Sequence, residues 1–233
     1  MRKVFRRRRR EEPPALAEEV EQTEERGEEP QARPSGPWDS AEPYPERERV
    51  DLGGLRLPVD SGFEVQLNLA GEQIVGAVVM VEDSALQVHA FAAPRRSGIW
   101  DEVRSDLAEG VRSAGGTVEQ REGPFGPELA ARIPAEGANE PQPVRYIGVD
   151  GPRWFLRAVI SGRAVVDEGV AAILEGVVRD IVVVRGDEPM APKESIELRL
   201  PPEARQAAER QDADPEVPDL NPFERGPEIA ELR

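Results

Sequence analysis

Few side chains in this sequence are of types that do covalent chemistry, and their placement limits what they can do. His89 is the only histidine and cysteine is absent, which removes thiolate nucleophiles, disulfides and Cys/His zinc sites and leaves one imidazole for any Ser-His-Asp triad. In LQVHAFAA the alternation puts Leu86, Val88, Ala90 and Ala92 on one strand face and His89 on the other with Gln87 and Phe91. A hydrogen-bonded or solvated strand histidine is expected there rather than a general base. No Gly-x-Ser-x-Gly elbow offers it a nucleophile. The carboxylate pairs Glu82-Asp83, Asp101-Glu102 and Asp167-Glu168 each fall at a turn or a helix start, where negative charge is favourable without any chemistry. Neither lysine, Lys3 or Lys193, sits in a phosphate-cradling Gly-rich loop. No catalytic residue, metal ligand or cofactor site is therefore assigned.

What remains is binding. In RWFLRAVISGR, alternation gives Trp154, Leu156, Ala158 and Ile160 to one face and Phe155 and Arg157 to the other, with Tyr146 and Arg145 on the neighbouring strand. Aromatic and Arg side chains together on a sheet can stack bases or receive an acidic peptide. The competing reading is a core face backed by a helix-covered or salt-bridged face. Arg153 and Arg157 are the residues chosen for the binding surface.

The elements that must position them follow from hydrophobic period. VDLGGLRLPV is a short strand broken by Gly53 and Gly54. FEVQLNLA alternates, QIVGAVVMVE is a central strand, and SALQVHAFAA returns after the Glu82-Asp83-Ser84 turn. The period then changes to that of a helix, with Ile99, Val103, Leu107 and Val111 on its stripe, Ser97 as cap and Gly115-Gly116 as stop. TVEQRE and ELAARIP flank a Gly-Pro turn, and VRYIGV and RWFLRAVISG flank Asp150-Gly151-Pro152, a hairpin signal. DEGVAAILEGVVRD is a second helix with Val166, Val170, Ile173, Val177 and Ile181 inward. β-branching favours a strand for IVVVRG, and SIELRL alternates as the last element. The expected fold is α+β, a mainly antiparallel sheet with both amphipathic helices packed on one face. Two small lobes joined near Gly137 are the alternative.

The chain has 233 residues and a formal net charge of -16, which disfavours generic binding to duplex nucleic acid or bilayer surfaces, so any anionic contact must be local. Polarity concentrates at the ends. Residues 1–48 and 203–233 are expected to be disordered charged tails around an α+β domain at 49–202. Whether Trp38 and Tyr44 dock on that domain is left open by the pattern. Arg6, Arg7, Arg8, Arg9 and Arg10 precede the acidic stretch Glu11 to Glu29. Three explanations compete: a contact for nucleic-acid phosphates or an anionic membrane, a basic block masked by its own acidic neighbour, or a polyampholyte that keeps the terminus soluble. Positive charge is nearly all Arg, which codon use in a GC-rich genome explains without appeal to guanidinium geometry. At the other end only NPFERGPEIAEL, with Phe223, Ile229 and Leu232, interrupts the polar tail. No run approaches a membrane span, and Glu11, Glu12, Pro13 and Pro14 stand where an export signal would be apolar.

GVDGPRWFLRAVISG, with LPVDSGFEVQLNL and IWDEVRSDLAEGVRSAGG upstream, resembles an actinobacterial domain family of unknown function over about 51–202. The resemblance implies at most a link to nucleic-acid metabolism and carries no catalytic or ligand residues. The expectation is a cytoplasmic, non-enzymatic binding or adaptor protein without cofactor. Its tails would recruit partners, the Arg block an anionic one and the Phe223 segment a groove. Two alternatives are local nucleic-acid binding through the Arg block, and an enzyme of unfamiliar type. The enzyme would need a deep pocket holding at least two buried ionisable side chains in mutual reach.

Overall fold

A computed structural model describes residues 35–70, 73–95, 98–134 and 140–201. The expected tail disorder at 1–34 and 203–233, Arg6 to Arg10, Phe223 and the Ser97 cap lie outside the described residues. The elements, in chain order, begin with strands β1 (Trp38–Asp39), β2 (Arg49–Asp51), β3 (Leu55–Pro58), β4 (Glu64–Ala70), β5 (Gln73–Val81) and β6 (Ser84–Ala92). Helix α1 (Trp100–Ser113) follows, then β7 (Thr117–Gly123), β8 (Gly126–Ile133), β9 (Gln142–Gly151) and β10 (Trp154–Gly162). A 3-10 turn at Arg163–Val165, helix α2 (Glu168–Asp180) and β11 (Val182–Val183) complete the set.

Seven strands form one antiparallel sheet in the order β4-β5-β6-β10-β9-β8-β7. The fold is therefore α+β and mainly antiparallel, as the alternating strands and hairpin turns imply. The halves before and after residues 135–139 share this sheet through the direct β8–β9 pairing. A smaller sheet, β1-β11-β3-β2, packs with it, and only its β1–β11 pair is parallel.

β10 explains the layering. Trp154, Phe155 and Leu156 are all buried, so both faces of the sheet are apolar and each requires a cover. On one face Trp154, Leu156, Ala158 and Ile160 meet Leu86 and Val88 of β6, the α2 residues Val170, Leu174, Val177 and Val178, and Leu55 and Leu57 of the small sheet. On the other face Phe155 meets Ile99 and Trp100, with Val103 and Leu107 of α1 against them. The helices thus lie on opposite faces, which corrects the expectation of one shared face.

The α2 stripe also differs from expectation. Val166 is 75% exposed and precedes the helix, and Ile173 is 48% exposed, while Val170, Leu174, Val177 and Val178 are buried. The helix starts after Asp167, whose carboxylate accepts from the Gly169 and Val170 amides, and from that start the i, i+4, i+7, i+8 set points inward. α1 is capped across the sheet. Asp150 of β9 accepts from the Ile99 amide at 2.8 Å and the Trp100 amide at 3.3 Å.

Residues 35–48, grouped from sequence with the polar tail, run against the domain. Trp38 and Asp39 are buried and pair with β11, and the Tyr44 hydroxyl takes a 2.6 Å hydrogen bond from Arg56. Isolated aromatics in a polar stretch carry no period, so composition assigned them to the tail; their burial offsets the ordering entropy. After α2, Val182 and Val183 do form a strand. Ile196 and Leu198 are buried, and Ile196 N–H donates to Ala90 O and Leu198 N–H to Ile74 O, so this last segment wedges between β6 and β5 as isolated bridges.

Candidate functional site

Ionisable side chains gather in several places among the described residues, including an open cleft of about 740 Å3 lined by Arg185, Asp187, Glu188, Glu194, Glu197 and Arg199; two others hold the residues weighed above. The first is a cavity of about 460 Å3 between the β7–β9 end of the sheet and the start of α2, lined among others by Arg121, Glu128, Arg145 and Glu175. Arg145 is 5% and Glu128 2% exposed. Arg145 faces the α2 side with Glu128, not the Arg157 side, because it neighbours Tyr146 in the strand and alternation sends the two apart. Its guanidinium donates to both Glu128 oxygens at 3.1 and 2.9 Å and to Glu175 at 2.9 Å, and Arg121 adds a 2.6 Å bond to Glu128. Burial works against the Arg145 charge, yet Glu128 and Glu175 outweigh it and its pKa is raised. An open cleft with buried ionisable groups in mutual reach is thus present, not a deep pocket. Its carboxylates, however, are already committed to guanidinium bonds, which a substrate would have to displace.

The second place is the Phe155 face of the sheet. Phe155 pairs with Phe91 and Arg157 with His89 across β10–β6, while Val159 pairs with Tyr146 across β10–β9. Paired residues share a face, so these side chains converge. Parallel-leaning rings run across it: His89 to Phe91 at 6.3 Å, Phe91 to Phe155 at 6.1 Å, and Phe155 to Trp100 at 5.8 Å between centroids. Gly148 leaves room for the Trp100 indole, since a Cβ there would overlap the ring. α1 covers this face over β7, β8 and β9. Beyond it the surface is half-buried or open, with Tyr146, Arg157, His89, Val159 and Gln87.

Arg157 lies with its guanidinium carbon 5.3 Å from the Phe91 centroid. Its Nε is buried without a hydrogen-bond partner among the described residues. Burial lowers its pKa, with Tyr146 acting weakly in the opposite direction, yet a guanidinium stays charged at neutral pH. His89 beside it is pushed down to about 4 by burial first and by the Arg157 charge second, and its Nδ1 is likewise buried and unpartnered. Nδ1 therefore lacks the hydrogen bond that a strand histidine ordinarily makes, and the imidazole is neutral at pH 7. Gly76 makes this possible, because a Cβ there would stand 2.7 Å from the imidazole. Burial raises the Tyr146 pKa.

Arg153, the other chosen residue, is not part of this cluster. It occupies the β9–β10 turn with φ of 62° and donates to Gly186 O at 3.1 Å. Arg185 also has buried unpartnered nitrogens, and burial and then Arg153 lower its pKa, but Glu194, Asp187 and Glu188 act in its favour. No carboxylate does so for Arg157 among the described residues. His89 and Phe91 were missed as site members; their position opposite the apolar set of β6 was the available signal. Among the described residues no group of three acidic or histidine side chains could hold a metal, and no helix is long and apolar enough to cross a membrane.

Fold and site together define an α+β sheet domain with one face covered except along the edge strand β4 and the other closed by a helix over only part of its width. The chain belongs to the family described as a protein of unknown function, DUF3710, whose profile matches residues 36–207. No curated protein matches. Among solved structures, the cyanobacterial PsbP (CyanoP) of Synechocystis sp. PCC 6803, determined in solution, is similar at 13% identity with a TM-score of 0.38, over 58% of this chain and 91% of that one.

Proposed function

We propose that this protein is a non-enzymatic cytoplasmic binding or adaptor protein whose acceptor surface is the open sheet face around Arg157, Tyr146, Phe91 and His89, and whose ligand there is an acidic peptide segment. The observation that carries this reading is Arg157: a half-buried cation with a sequestered Nε, stacked on an aromatic ring and facing a neutral imidazole. The sealed Nε is out of a ligand's reach, but the guanidinium as a whole is only half-buried and no carboxylate offsets it among the described residues, so a ligand carboxylate at its outer nitrogens makes a charge-assisted hydrogen bond worth about 1.5–3 kcal/mol. Tyr146 and Phe91 supply apolar contact beside it. Arg6 to Arg10 recruit an anionic partner and the Phe223 segment an apolar groove.

The test is calorimetric titration of the full chain with a Glu-rich peptide carrying one Phe, against the same peptide with Gln for Glu. Saturable binding of the acidic form, weakened about tenfold or more by Arg157→Gln, supports the reading. Equal affinity for both peptides, or an Arg157→Gln chain that binds as well as the parent, removes it.

The enzyme reading has the Glu128–Arg145–Glu175 cavity in its favour. The saturation of its carboxylates favours a structural network instead.

A further inference from the structure

The seven-stranded sheet has two edges, and they differ. β7 carries Glu119, Arg121 and Glu122 and has α1 beside it. Charged side chains and a covering helix are common ways of blunting an edge against another chain. β4 reads EVQLNLA: one charge, no proline and no lysine over seven residues. Val65 is 36% and Leu69 68% exposed, both on the side of the sheet where Leu67 meets the core. An edge of this kind, apolar on one face and with unpaired backbone groups along its outer side, is a template for a further strand.

The sequence of β4 is also complementary to itself. For two antiparallel copies to extend one sheet with their core sides together, residues of like parity must oppose, so the two-fold axis must pass through a residue rather than between two. Centred on Leu67, all seven residues pair: Leu67 with its counterpart, Gln66 with Asn68, Val65 with Leu69, and Glu64 with Ala70. Exposed apolar residues then cover each other, amides face amides, and the only charge meets alanine. Centring on Gln66 or Asn68 leaves part of the strand unpaired and sets Leu67 against Val65 or Leu69 instead of its own copy.

We propose that two copies of this chain associate through β4, antiparallel about a two-fold axis at Leu67, to make one continuous sheet across both. A single strand pair is smaller than the roughly 1,600 Å2 of a standard interface, and each chain carries a formal charge of -16. The dimer therefore dissociates on dilution and is strengthened by salt, which screens that repulsion.

The absence of cysteine makes the register directly readable. Single-cysteine full-length variants at positions 65 to 69 are oxidised mildly and their covalent dimers quantified. Leu67→Cys crosslinks fastest, because only that position faces itself at a separation a disulfide spans, while Gln66→Cys and Asn68→Cys link efficiently only when the two variants are mixed. In sedimentation, Leu69→Glu weakens association by about tenfold, since the axis counts each lost pair twice. Val65→Lys combined with Leu69→Glu restores it, because each introduced lysine then faces the partner's introduced glutamate. Sedimentation of the parent chain at single-chain mass up to its highest soluble concentration overturns the proposal. So does a crosslinking maximum away from Leu67, or failure of the charge pair to rescue.

Discussion

The indole Nε1 of Trp154 donates to the Asp39 carboxylate at 2.6 Å, a buried hydrogen bond between residues 115 apart in sequence. It ties the short strand β1 to the strand that carries Arg157. Asp39 also accepts from the Ala41 amide at 2.7 Å, so one side chain both shapes the N-terminal segment and holds it to the sheet. Asp39→Ala removes the acceptor of this buried indole bond and is expected to cost about 1.5–3 kcal/mol. Chemical denaturation checks this as a lower midpoint with an unchanged slope, and Asp39→Asn, which keeps an acceptor, loses less.

The Glu128–Arg145–Glu175 network predicts an asymmetric response. Arg145→Met takes the central cation from buried Glu128 and partly buried Glu175, leaving Glu128 only its bond from Arg121, and should destabilise by about 3 kcal/mol. Replacing the set together, as Arg145→Met/Glu128→Leu/Glu175→Gln, recovers most of that loss, because desolvation of the charges disappears with them. Peptide affinity at the Arg157 face stays near that of the parent in the triple variant. A large loss there would return the cavity to consideration as a functional centre.

His89 gives a pH signature. Its folded pKa, about 4, lies below the ordinary 6.5, so between those values the unfolded chain binds the proton and the folded chain does not. Its contribution to stability is fully present above about pH 6.5 and is lost as pH falls toward 4. The difference in unfolding free energy between the parent and His89→Gln should shrink over that window, by up to about 3 kcal/mol. A difference that stays constant from pH 7 to pH 4 means the imidazole titrates normally.

For the basic block, Arg6 to Arg10 replaced together by Ala should abolish a weak, salt-sensitive association with single-stranded DNA while leaving acidic-peptide binding intact. Fluorescence anisotropy at two salt concentrations measures it. DNA binding that persists in the substituted chain, or that ignores salt, contradicts local phosphate contacts by this block.

Much of the sheet is legible in the sequence, because alternation and the Asp150-Gly151-Pro152 turn report strand faces and hairpins directly. Arg157 and Phe155 were readable as sharing a face for the same reason. The placement of α1 was not, since Trp154, Phe155 and Leu156 run together and a continuous apolar stretch does not say which face each helix covers. Trp38 and Asp39 were missed because a two-residue strand has no period. The buried Glu128–Arg145 pair was hidden by a different limit: alternation marks a charged side chain as outward when the partner that neutralises it comes from another strand. His89 looked solvent-facing until Gly76, on the adjacent strand, was seen to leave space for its ring.

The most direct measurement of the central claim is the NMR signal of the Arg157 Nε–H group in the full chain, assigned by its loss in Arg157→Lys. On titration with the Glu-rich peptide this resonance should shift and its exchange with water should slow, as the outer nitrogens of the same guanidinium gain a carboxylate. A resonance that stays in place while the peptide saturates the protein would show that the ligand binds elsewhere and that Arg157 is not its acceptor.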